Sequence, residues 1–221
     1  MIVFLRYPVK KIAGKILIWQ GLTTRSPVHP PRLVLASSSP YRRSLLARLR
    51  LPFVVQVPAV DEVALPDEDP RGTALRLAQA KARAVMPDFP AALIIGCDQV
   101  AVLEGAPIGK PGTHANAVAQ LRAMRGRRVL FHTAVALLNS GTGTLQTADV
   151  PTTVHFRKYE DAEIEHYLVA ERPYDCAGSA KIEGMGIVLV ERVESTDPSA
   201  LIGLPLIQLA TMLRHEGVPI V

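Results

Sequence analysis

Leu33-Val34-Leu35-Ala36-Ser37-Ser38-Ser39-Pro40-Tyr41-Arg42-Arg43 is the stretch that decides the fold. Its first four residues read as a buried strand. Leu45, Leu46 and Leu49 then recur at helical spacing. Between strand and helix, Ser39 reads as an N-cap and Pro40 as the first helical residue. A helix start presents unpaired N–H groups and a positive dipole end, which favour an anion. Arg42 and Arg43 add guanidinium donors suited to phosphate oxygens. The loop therefore fits a phosphate-bearing ligand. The same residues would serve equally well as a capped helix with two solvated arginines.

The remaining chain repeats this strand–helix rhythm. Phe53–Val57 reads as a strand, and Asp69-Pro70 opens a helix to about Met86. Ala92–Gly96 reads as a buried strand ending in Cys97-Asp98-Gln99, and Val100–Leu103 as a hairpin arm leading to Ile108. Thr113 caps a helix to about Met124. Val129–Leu138 and Thr144–Phe156, joined at Gly141-Thr142-Gly143, have the length and short connection of an antiparallel ribbon. A helix over Glu160–Ala170, a strand over Gly186–Val193 and a closing helix over Leu204–Glu216 complete the pattern. The class is α/β with a mixed sheet.

Charge and composition bound the function. The net charge is +5, yet Arg6, Lys10, Lys11, Lys15, Arg25 and Arg32 lie in the first 32 residues, which hold no acid. The other 19 cations nearly balance the 20 acids, so the core carries no nucleic-acid footprint. No apolar run approaches the roughly 18 residues of a membrane span. Cys97 and Cys176 lack metal-ligand spacing, which points to a reducing cytoplasm. Residues 1–31 read as a basic, poorly ordered extension ending in a Pro-rich linker, with a membrane-surface segment as the alternative. Residues 32–221 form the domain.

Several charged residues fall at the ends of these elements. Asp98 follows the apolar run Leu93-Ile94-Ile95-Gly96, where ligands of open α/β sheets gather. Glu62 could hold a hard divalent cation through oxygen. Lys81 sits mid-helix among Gln79, Ala80 and Ala82, a place that strongly favours a solvated helix face. Lys110 is flanked by Gly109 and Pro111, which let backbone approach and stiffen the loop. In Lys181-Ile182-Glu183-Gly184, a carboxylate could accept from guanine's N1–H and N2–H₂ together. Walker A, GxGxxG and HExxH sequences are all missing, so the usual kinase, dinucleotide and zinc-protease readings have no motif to rest on.

Taken in order, these segments, with Val60-Asp61-Glu62, Ala80-Lys81-Ala82, Gly96-Cys97-Asp98-Gln99-Val100 and Gly109-Lys110-Pro111, resemble the Maf family of nucleoside triphosphate pyrophosphatases over about residues 32–217. Within it, Tyr41 and Glu183 are similar to the subgroup acting on 7-methyl-GTP. The subgroup acting on dTTP and UTP has arginine and glutamine there. The resemblance implies an elongated mixed sheet flanked by helices, two lobes around a nucleotide cleft, and frequently a homodimer. It implies hydrolysis of the α–β phosphoanhydride with Mg²⁺ or Mn²⁺, Asp98 as proton acceptor and Glu62 as metal ligand. Ser37, Arg42, Lys81 and Lys110 would bind the triphosphate; Tyr41, Gln99 and Glu183 would set base specificity. Cys97 stands where a serine is more common, and Tyr41 where a tryptophan is often found. A dTTP/UTP-type pyrophosphatase and a non-catalytic nucleotide-binding regulator of cell division are the alternatives.

Overall fold

The computed structural model describes residues 31–220, so the expectations for the N-terminal extension lie outside the described residues. Strand β1 (Arg32–Ala36) is buried from Leu33 onward and feeds helix α1 (Pro40–Ala47). The Ser39 hydroxyl caps α1 by accepting from Arg42 N at 3.3 Å. Strand β2 (Phe53–Gln56) returns parallel to β1. Helix α2 (Pro70–Val85), capped by Asp69, crosses back to strand β3 (Ala92–Leu103), which lies parallel to β1 on its other side. A short β4 (Ala106–Ile108) folds against the end of β3, and helix α3 (His114–Met124) follows. Strands β5 (Arg128–Asn139) and β6 (Leu145–Phe156) are the long antiparallel ribbon. Helix α4 (Asp161–Glu171), strand β7 (Val190–Ser195) and helix α5 (Leu206–His215) complete a seven-stranded mixed sheet of order β2-β1-β3-β5-β6-β7, with β4 on β3.

Three boundaries differ from the sequence reading, each for a local reason. β3 does not stop at Gly96. Its parallel neighbour ends at Ala36↔Gly96, but β5 pairs with it from Leu93↔Asn139 to Leu103↔Val129 and carries the ladder on. Asp98 is thus mid-strand, just past the carboxyl end of β1. Gly186 does not open a strand, because the N–H groups of Gly184 and Gly186 both close on Lys181 O. Residues Met185–Leu189 therefore coil as a 3-10 turn before β7. A further 3-10 turn, Ala200–Ile202, and Pro205 delay the last helix to Leu206.

The long strands serve two cores. At one end, Leu35, Leu45, Leu46, Leu93, Ile95, Leu137, Leu209 and Leu213 pack α1 and α5 on the sheet. At the other, Ala117, Leu121, Phe131, Phe156, Tyr167 and Leu168 pack α3 and α4. Helix α2 covers the opposite face of the first end through Ala74, Ala78 and Ala82. It lies so close to β3 that a Cβ on Gly96 would stand 2.0 Å from Ala78 O and 2.8 Å from Ala82 N. This approach, possible only over glycine, brings Lys81 down onto Asp98.

Candidate active site

A cavity of about 330 Å³ opens between the two packed ends, and Ser37, Tyr41, Arg42, Glu62, Lys81, Asp98, Gln99, Lys110 and Glu183 all line it. Its polar centre is a triad of charges. Lys81 is buried, and its Nζ lies 2.7 Å from both Asp98 Oδ1 and Glu62 Oε1. Periodicity placed Lys81 on a helix face; the close approach of α2 at Gly96 buries that face.

The two carboxylates respond differently to the same ammonium. Asp98 is buried, and desolvation raises its pKa against the opposing pull of Lys81 and Arg42; Glu62 adds to the rise. Glu62 is more open. Burial pushes it up too, but the Lys81 bond and the charges of Lys81, Lys110 and Arg42 prevail and hold it below the usual range. Burial therefore decides the first and charge the second.

Arg42 reaches from α1 across the cavity floor. Its Nε donates to Gly203 O at 2.9 Å and Nη1 to Cys97 O at 3.0 Å, which fixes the guanidinium while leaving other N–H groups for a ligand. Arg43, its neighbour in sequence, is exposed and does not line the cavity. Ser37 is buried, and its hydroxyl accepts from Ser39 N at 3.1 Å, shaping the loop. Lys110 is exposed at the rim. Its loop is tied down by Gln120 Nε2 donating to Gly109 O at 3.0 Å and Asn116 Nδ2 to Pro111 O at 2.9 Å.

The opposite wall carries Tyr41, Asp175, Cys176 and Glu183. Much of Glu183 faces solvent, yet its carboxyl sits against the wall; desolvation raises its pKa, helped by Glu171 and Asp175 and opposed by Lys181. Lys181 itself is not in the cavity, because its Nζ pairs with Glu171 Oε2 at 2.9 Å. Burial and the nearby Asp175 push the Cys176 thiol up to about 12, and burial raises Tyr41 well above the normal phenol range. Both stay neutral near pH 7. Sequence reasoning missed Asp175, Thr133 and the Ala200–Gly203 turn. A buried threonine on a strand and a turn that acts through its carbonyls leave no side-chain signature.

Among the described residues no group of three or more His, Cys, Asp or Glu side chains could hold a metal. Asp98 Oδ2 and Glu62 Oε2 accept no hydrogen bond from any described residue. Two carboxylates with one open oxygen each suit a cation that completes its shell with water and phosphate oxygens.

Fold and cleft together define an α/β protein with a charged pocket built to take an anionic ligand, faced by an aromatic and acidic wall. The chain belongs to the Maf-like family, whose model matches residues 32–216. It is 62% identical over 194 residues to the 7-methyl-GTP pyrophosphatase of Paraburkholderia xenovorans, covering 86% of this chain and 95% of that one. It is 59% identical over 189 residues to the 7-methyl-GTP pyrophosphatase of Cupriavidus metallidurans, with the same coverage. To that of Thiobacillus denitrificans it is 60% identical over 190 residues, covering 86% and 94%.

Proposed function

We propose that this chain is a nucleotide pyrophosphatase that hydrolyses the α–β phosphoanhydride of 7-methyl-GTP, giving 7-methyl-GMP and pyrophosphate, and so clears modified nucleotides. The observation that carries the reading is that cations, paired carboxylates and an acidic aromatic wall meet in one cavity. Relatives identical at about three-fifths of the aligned positions bear that enzyme's name.

Arg42, Lys81 and Lys110 bring three positive charges to one cavity, enough to gather a triphosphate, with Ser37 and the backbone of its loop completing the cradle. Asp98 takes the proton of the attacking water. A carboxylate raised by burial is a stronger base than a solvated one, and its bond to Lys81 Nζ fixes one oxygen and leaves the other for water. Such base catalysis contributes roughly 10²–10⁴-fold, so most of the acceleration must come from fixed charge. Glu62 is the residue that would hold Mg²⁺ or Mn²⁺, which when bound would screen phosphate charge and polarise the attacked phosphorus.

The base wall suits a cation. N7-methylation gives guanine a positive charge, and an aromatic face beneath a cation contributes about 0.5–2 kcal/mol. Tyr41 supplies the face, while Glu183 and Asp175 supply opposite charge. An arginine at position 41 would repel the same base. Two free cysteines fit a reducing cytoplasm, and no helix among the described residues is long and apolar enough to cross a membrane. The family resemblance supports a homodimer.

Pyrophosphate release with Mg²⁺ or Mn²⁺ over a nucleotide panel tests the reading. Asp98→Asn should lower kcat by at least about 100-fold while the nucleotide Kd stays within a few-fold. Full turnover in that variant would remove Asp98 from the chemistry. A wild-type protein that released no pyrophosphate from any nucleotide would favour the non-catalytic regulator.

A further inference from the structure

Three acceptors converge on one nitrogen in the cavity wall. Gln99 Nε2 lies 2.9 Å from Thr133 Oγ1, 3.1 Å from Ala200 O and 3.1 Å from Leu201 O. Two of these are backbone carbonyls, which can only accept. Turning the amide over would set oxygen against oxygen, so the orientation follows from the chemistry of its partners. Thr133 is fully buried and stands directly opposite Gln99 in the β3–β5 ladder. Its hydroxyl donates to Ala200 O at 3.1 Å and is therefore left to accept from Gln99.

The turn that carries those carbonyls is itself braced. Buried Asp197 accepts from Ser199 N and Oγ through Oδ1, and from Ile207 N and Gln208 N through Oδ2. Gly203 N closes the turn on Ala200 O at 2.8 Å. Both hydrogens of the Gln99 amide are thus consumed inside the protein. Its Oε1 accepts nothing from the described residues, although Gln99 lines the cavity.

Resting on the nucleotide reading above, we propose that Thr133, Ala200 and Leu201 lock Gln99 as an acceptor facing the base, which with Glu183 makes the subsite selective for donor-edged guanine over carbonyl-edged uracil and thymine. Guanine offers neighbouring N1–H and N2–H₂ donors, which two acceptors can satisfy. Uracil and thymine present one N–H between two carbonyl oxygens, and those oxygens would be desolvated against acceptors that cannot turn away. Polar mismatches of this kind discriminate far more strongly than lost apolar contact. A freely rotating glutamine would serve either edge; the lock removes that tolerance. Base edge and base charge are then read separately, the first by Gln99 and Glu183, the second by Tyr41 and the acidic wall.

Two measurements on the full chain test this. In ¹⁵N,¹³C-glutamine-labelled protein, the Gln99 amide protons should exchange slowly with and without an α,β-methylene analogue of 7-methyl-GTP, and binding should shift the ¹³Cδ resonance. In steady-state assays, Gln99→Leu should lower the 7-methyl-GTP to UTP ratio of kcat/KM by at least about tenfold. Fast amide exchange, or a nuclear Overhauser contact from the Gln99 amide protons to the bound base, would overturn the lock. Hydrolysis with an unchanged ratio in Gln99→Leu would overturn the base subsite alone. Wild-type protein inert toward every nucleotide would instead refute the pyrophosphatase reading and the base subsite with it, leaving the exchange result to decide the amide orientation.

Discussion

Lys81 holds two carboxylates at once, and its removal should be legible in the pH profile. Asp98 must be deprotonated to accept a proton, so activity rises with pH through its pKa. Burial already lifts that pKa above the ordinary carboxylate value of about 3.9. The Lys81 ammonium favours the charged form, so Lys81→Gln should move the acid limb of kcat/KM to higher pH as well as weakening phosphate binding. A limb that stayed in place would separate Lys81 from Asp98. The same shift has a cost in stability. A carboxyl whose folded pKa is raised stabilises the fold at low pH and loses that contribution as pH rises through the folded value. Tyr41 is the second residue that discriminates. Tyr41→Arg should lower kcat/KM for 7-methyl-GTP by about tenfold, the loss of the stacked cation together with like-charge repulsion, and should spare UTP.

At the level of elements, the contact between α2 and β3 decides whether the triad of charges exists. Gly96→Ala would drive a Cβ into the backbone of α2 at Ala78 and Ala82, contacts that no rotamer can relieve. The expected loss is at least about 2 kcal/mol, measured by denaturant unfolding, with activity falling further as Lys81 is lifted off Asp98. A variant of native stability would show that α2 can shift freely. This contact also marks where the sequence stops being readable. The helices were legible because Ser39, Asp69 and Thr113 cap them and apolar residues recur at helical spacing. The order of cavity residues was legible through short motifs. The burial of Lys81 was not, since it depends on a glycine in a strand fifteen residues downstream. Nor was the role of the 200–203 turn, because its carbonyls act on Gln99 and Arg42 without any side chain of its own.

On the scale of the whole molecule, the cleft joins groups delivered by both cores. α1, α2 and the shared strand β3 bring Arg42, Lys81, Asp98 and Gln99, and the far end brings Lys110 and Glu183. The first strand at Arg32 is paired on both sides, with β2 and β3, so the chain cannot be shortened beyond it without opening the sheet. We propose that residues 1–31 are dispensable for catalysis. Protein beginning at Arg32 should keep kcat/KM within about twofold and the same oligomeric state by light scattering. A large loss would give the extension a part in the active assembly. The account as a whole rests on one cleft reading both phosphate and base. Steady-state kcat/KM for 7-methyl-GTP, GTP, dTTP and UTP under one metal condition tests it most directly. It predicts 7-methyl-GTP ahead of UTP and dTTP by at least about tenfold, and parity between UTP and 7-methyl-GTP would contradict it.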